Sequence, residues 1–133
     1  MTRVLVDTSA WVEFDRATGS LIDRRLTELI STDGPVAVTE PVVMEVVAGA
    51  RTDARESDLR RLLARFDLLR FDTVADFDAA STIYRRCRRV GVTPRGLIDC
   101  MIASVALRHG ASLLAVDSDL LSVADVMGIP LEV

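Results

Sequence analysis

Four short apolar runs, Val4 to Val6, Val36 to Val38, Leu68 to Phe71 and Leu113 to Val116, alternate along the chain with longer segments of helical period. Strands interleaved with helices are joined by crossovers, which return the chain to the same end of a sheet and make the strands parallel. The pattern predicts an α/β domain with a central, mainly parallel β-sheet flanked by helices. Leu59, Leu62, Leu63 and Phe66 fall at helix spacing, with Arg55, Arg60, Arg61 and Arg65 elsewhere around the wheel, which predicts an amphipathic helix from about Asp53 to Arg65. Phe77, Ala80, Tyr84 and Cys87 mark another. Pro41 suits the first turn of a helix reaching Gly49, and Leu97 to Arg108 predicts a central helix closed by Gly110. Leu131 to Val133 is expected to form an edge strand. The connections Ser31 to Pro35 and Gly91 to Gly96 are too short to separate domains, so residues 1–133 are expected to form one domain.

No apolar stretch approaches the ~20 residues needed to span a bilayer, so neither membrane insertion nor secretion is expected and a cytoplasmic location follows. Cys87 and Cys100 lack CxxC spacing and read as buried thiols.

Four carboxylates, Asp7, Glu45, Asp99 and Asp117, stand at the ends of apolar strands or inside apolar helix stretches. Burying an uncompensated carboxylate costs several kcal/mol or forces it to neutralise. The chain has no lysine, so compensation must come from arginine or a metal ion. Asp7 and Asp117 both follow strands, and ligands of open α/β sheets gather at the carboxyl ends of strands. Glu45 lies about one turn into a helix among valines, and Asp99 shares a helix face with Ile102, Ala103 and Ala106. An oxygen-only donor set with no histidine partner favours Mg2+ or Mn2+ over zinc. Metal-assisted phosphodiester hydrolysis is the chemistry such a set suits. The net charge of −4 does not exclude a nucleic-acid substrate, because without these four acids sixteen remain against sixteen arginines.

Structural alternatives exist for each acid. Asp7, followed by Thr8 and Ser9, suits a helix cap after a strand, and Asp99 suits the first turn of its helix. Glu45 suits a salt bridge to a core-facing arginine. Asp117 and Asp119 lie in a Ser-containing turn, where aspartate is ordinary.

These residues resemble the PIN-domain ribonucleases, and specifically the VapC-type toxins of bacterial type II toxin–antitoxin pairs. Val-Leu-Val-Asp7-Thr8-Ser9-Ala10-Trp11 is similar to the family's first strand and acid, and Glu45 in Val-Val-Met-Glu-Val-Val-Ala-Gly to its second acidic position. Asp99-Cys100-Met101-Ile102-Ala103 resembles the third, and His109 through Leu120 the last strand and fourth acid. Ala115 and Leu120 replace the threonine and phenylalanine the family often carries, which leaves open whether Asp117 or Asp119 faces the metal. Asp117 is favoured because it is nearer the strand end.

The resemblance implies a PIN-like three-layer fold and a magnesium-dependent endoribonuclease cutting structured RNA such as tRNA or ribosomal RNA. It also implies a homodimer and a cognate VapB-type antitoxin. On this basis Asp7, Asp99 and Asp117 are expected to hold one or two Mg2+ or Mn2+ ions. Glu45 would ligate or deprotonate the attacking water, and Thr8, Ser9 and Asp119 are possible further members. Arg85, Arg88 and Arg89, near a helix end, and Arg95 read either as RNA-backbone contacts or as cations complementing a helix dipole on a solvated face. Trp11 and the stripe from Leu59 to Phe66 read as core packing or as a dimer or antitoxin surface.

A receiver domain would need a lysine that the chain lacks, and a haloacid-dehalogenase-type phosphatase would need an aspartate where Ser9 stands. Neither GxGxxG nor a GK[ST] loop is present. Two rivals survive: a catalytically silent PIN-like module that binds RNA or protein, and a phosphodiesterase acting on DNA.

Overall fold

Valine-rich segments too short to alternate bury both their faces, and the structure, a computed structural model describing residues 2–133, makes them the middle of one sheet. Strands β1 (Val4–Val6), β2 (Val36–Val38), β3 (Asp67–Leu68) and β4 (Ser112–Leu114) lie in the order β3-β2-β1-β4, all parallel. Leu5 pairs with Ala37 on one side and Leu113 on the other. The chain therefore steps outward from β1 through β2 to β3, then crosses back to place β4 on the other side of β1. That is the switch point at which an open α/β sheet forms its crevice, at the carboxyl ends of β1 and β4.

Seven helices flank the sheet among the described residues: α1 (Thr8–Asp15), α2 (Leu21–Ser31), α3 (Glu40–Ala48), α4 (Asp53–Leu63), α5 (Ala75–Arg89), α6 (Ile98–His109) and α7 (Ser118–Met127). They pack as two groups. α1 lies against α2 and α3, and α3 against α4; α5 and α7 lie against α6 and each other, and contacts between α3 and α6 join the groups. α6 is central as expected, with Cys100, Ile102, Ala103, Val105 and Ala106 buried. Gly110 ends it at φ +63°, a left-handed conformation that a side chain would strain. Cys87 and Cys100 are buried free thiols.

Several expectations are corrected. β3 covers Asp67–Leu68 rather than Leu68 to Phe71; one further bond, from Leu69 N–H to the Val38 carbonyl at 2.7 Å, ends the pairing. The expected edge strand Leu131 to Val133 is reduced to a single parallel bridge between Leu131 and Leu113. β4 stops at Leu114 instead of Val116, because the amides of Val116 and Asp117 turn to the Ser9 hydroxyl at 2.9 and 3.2 Å. Trp11, Leu59 and Leu63 belong to the core, and the Trp11 ring stacks 5.3 Å from Phe66. No described helix is long and apolar enough to cross a membrane.

Candidate functional site

Where β1 ends, Asp7 caps α1. Its Oδ2 accepts the Ser9 amide at 3.0 Å and the Ser9 hydroxyl at 2.6 Å. Where the chain leaves β4, Asp117 caps α7, its Oδ1 accepting the amides of Asp119 and Leu120 at 2.9 and 3.1 Å. Ser9 ties the two ends together, since its oxygen both donates to Asp7 and accepts from Val116 and Asp117. Helix capping and site building are one arrangement here: each aspartate caps its helix through one oxygen at the carboxyl end of a strand, where open α/β sheets bind ligands.

Glu45 reaches the same place from α3. Its Oε1 accepts the Thr8 hydroxyl at 2.8 Å, and among the described residues it forms no salt bridge, so the arginine alternative does not hold. Asp99 lies in the first turn of α6, where the helix dipole favours a carboxylate, but it makes no capping hydrogen bond. Asp99, Asp117 and Asp119 each offer an oxygen within 4.8 Å of the others. Asp119 is held by Arg95, whose Nε donates to its Oδ2 at 2.8 Å and whose amide donates at 3.0 Å. The same guanidinium stands 3.7 Å from Asp117 Oδ2.

The electrostatics separate these acids from the rest of the chain. Burial pushes the Asp99 carboxyl up to about 7, with repulsion from Asp117, Asp7, Glu45 and Asp119 adding to it. Burial also raises Asp7, against the Ser9 bonds that lower it, and raises Glu45, against the Thr8 bond. Arg95 instead draws Asp119 below its ordinary value. Asp76 gives the comparison. It is 1% exposed, yet hydrogen bonds from Arg108 and Ser104 outweigh the cost of burial and hold its carboxyl low. Ser104 Oγ stands 2.6 Å from Asp76 Oδ1, and the Arg108 guanidinium 2.7 Å from Oδ2. This chain gives one buried acid an arginine and leaves Asp7, Glu45 and Asp99 crowded without one. A crowded oxygen-only set fits a hard divalent cation, which would relieve that repulsion.

Asp99, Asp117 and Asp119 thus come together, and Asp7 and Glu45 lie near enough to repel them, with Thr8 and Ser9 as hydrogen-bond supports. Arg85, Arg88 and Arg89 do not enter it; they line a surface depression at the end of α5. The Arg95–Asp119 pair and the Ser9 bridge were missed as pairings, because neither has a fixed sequence spacing.

A protein-family model described as PIN domain matches residues 4–126. The chain is 44% identical over 117 residues to the VapC ribonuclease Mb1587 of Mycobacterium bovis, covering 87% of each. Ribonuclease VapC11 of Mycobacterium tuberculosis matches to the same extent. The crystal structure of DNA-bound VapBC from Salmonella typhimurium superposes with a TM-score of 0.72 at 25% identity, covering 99% of this chain and 98% of that one.

Proposed function

The chain belongs to the PIN-domain family, among the VapC ribonucleases, and we propose that it is a metal-dependent endoribonuclease, the toxin of a toxin–antitoxin pair, formed as one PIN domain over residues 1–133. The observation that carries the metal-dependent chemistry is the crowding of Asp7, Glu45 and Asp99 without an arginine, in a chain that neutralises buried Asp76 with Arg108. Asp7, Asp99 and Asp117 would hold Mg2+, or Mn2+ in its place, with Asp119 in reserve. When bound, such an ion lowers the pKa of a water and offsets charge on phosphate oxygens. Glu45 orients the attacking water and takes its proton. The Thr8 hydroxyl fixes its Oε1, and burial raises its pKa toward the range where a carboxylate works as a base. Structured RNA, tRNA or ribosomal RNA, is the proposed target.

The proposed assembly is a homodimer restrained by a VapB-type antitoxin, as the likeness to VapBC suggests. A groove of about 180 Å³ lined by Trp11, Val12, Val46, Leu59 and Leu62 opens beside Glu45 and suits an apolar antitoxin segment laid next to the acids.

Labelled RNA and DNA of matched sequence test the reaction. The purified chain should cut only the RNA, require Mg2+ or Mn2+, and stop with EDTA. Asp7→Asn and Asp99→Asn should each abolish cleavage with the circular dichroism unchanged; full activity in either would contradict the assignment. Equal cutting of DNA would make the protein a general phosphodiesterase, and RNA binding without cutting at any metal concentration would make it a silent module.

A further inference from the structure

Arginines on this chain fall into two kinds. Arg55, Arg60 and Arg61 of α4 pair with Asp15 of α1 and with Glu56 and Asp58 of α4, so each of them has an acidic partner. Among the described residues, Arg85, Arg88 and Arg89 of α5 form no ion pair. The helix dipole accounts for cations in the last turn of α5 but not for what lies beside them. A depression of about 500 Å³ is lined by Ser81, Tyr84 and Arg85 on α5 and by Arg95, Gly96 and Leu97 on the connection into α6. Leu97 is 52% exposed there, and the Arg88 guanidinium lies 5.9 Å from the centroid of the Tyr84 ring. Arg95 is both a wall of this depression and the partner of Asp119, so the depression adjoins the acidic crevice. Arg85 is both a wall of it and part of the patch with Arg88 and Arg89.

An acid-lined crevice repels the polyanion it cuts, and a basic track beginning at its edge offsets that repulsion along the strand's exit. An aromatic ring and an exposed leucine beside arginines add a surface for a base, which only an unpaired nucleotide can present. The geometry points to a nucleotide subsite between α5 and the Arg95–Leu97 connection: an unpaired base of the RNA rests against Tyr84 and Leu97, and the phosphates beyond it run onto Arg85, Arg88 and Arg89. This rests on the ribonuclease reading and deepens it, since the substrate must then be single-stranded beside the cut. An acidic protein segment would gain the same charge attraction but would leave the aromatic and apolar wall without a purpose.

Binding is measured in an Asp99→Asn background, with a fluorescein-labelled oligouridylate as the single strand and an RNA duplex of equal length, across a salt series. The single strand should bind more tightly than the duplex. Arg85→Gln with Arg88→Gln, both good helix formers, should flatten the slope of log affinity against log salt by about 0.7 for each phosphate contact removed. Tyr84→Leu with Leu97→Ser should weaken the single strand about tenfold and the duplex little. Unchanged slopes and affinities, with the wild-type chain still cutting RNA, would overturn the subsite alone. Loss of antitoxin binding with RNA binding intact would also overturn it, making the face a protein-docking surface. A wild-type chain that neither binds nor cuts RNA would overturn the ribonuclease reading together with the subsite.

Discussion

The Ser9 hydroxyl donates to Asp7 Oδ2 at 2.6 Å. The same oxygen accepts the amides of Val116 and Asp117, so one side chain ties the end of β1 to the chain leaving β4. Ser9→Ala leaves those two amides without their acceptor, and an unsatisfied group in a partly buried setting costs about 1–3 kcal/mol. Chemical denaturation should show a loss of that order. Mn2+ titration by calorimetry should also show weaker binding, because Asp7 and Asp117 lose their common anchor. A variant with wild-type stability and Mn2+ affinity would mean that water replaces the hydroxyl at no cost.

Asp99 makes the metal-free protein sensitive to pH. Its carboxyl titrates at about 7 when folded and near 3.8 in an open chain. Below about pH 4 both states hold the proton and stability is unaffected. Between there and about 7 the unfolded chain has released a proton that the folded chain retains, so stability falls as pH rises, then levels off. Asp99→Asn should shrink this slope, leaving the part due to Asp7 and Glu45, and raise the melting temperature of the metal-free protein at pH 7.5, while abolishing cleavage. Added Mg2+ should stabilise the wild type more than the variant. Matching pH profiles for the two proteins in EDTA would refute the account.

The strands β1 and β2 were legible because Val-Leu-Val and Val-Ala-Val are too apolar for anything but a sheet interior, and Gly110 marked the end of α6. The site acids were legible for a different reason: their apolar contexts make a carboxylate expensive. What decided the remainder is tertiary. β4 ends early because Ser9, distant in sequence, captures the next amides. Leu131 manages one bridge, held by the Leu113 amide on the Pro130 carbonyl and the Glu132 amide on the Leu113 carbonyl. Helix α2 went unassigned although Ser20 caps it by accepting the Asp23 amide, a start signal within reach of the sequence alone. The Asp76–Arg108 pair looked like any other acid and base, since only folding shows which acids receive an arginine.

That pair predicts a stability effect separable from catalysis. Removing one partner of a buried ion pair costs about 3–5 kcal/mol, and Arg108 is partly solvated, so Arg108→Ala should fall near the low end. Guanidinium denaturation checks the loss. Cleavage measured well below the melting temperature should be close to wild type, because the pair lies outside the acidic crevice. An Asp76→Asn, Arg108→Met double variant that recovers much of the loss would identify the unpaired carboxylate as the cause.

Trp11 is the one tryptophan of the chain, 2% exposed, and its indole Nε1 has no hydrogen-bond partner among the described residues. It also lines the groove beside Glu45. Nε1 itself is shut off from solvent, so an occupant of the groove meets the ring through packing and changes the polarity around the indole. If the antitoxin segment fills this groove, the environment of the only indole changes on binding, and tryptophan emission of the complex should differ from the sum of its parts when the antitoxin is itself free of tryptophan. Trp11→Phe keeps an aromatic ring but takes away part of the groove wall, and should speed antitoxin dissociation several-fold while leaving RNA cleavage intact. Unaltered emission on complex formation, with unaltered dissociation of the Phe variant measured by surface plasmon resonance, would put the antitoxin elsewhere on the surface.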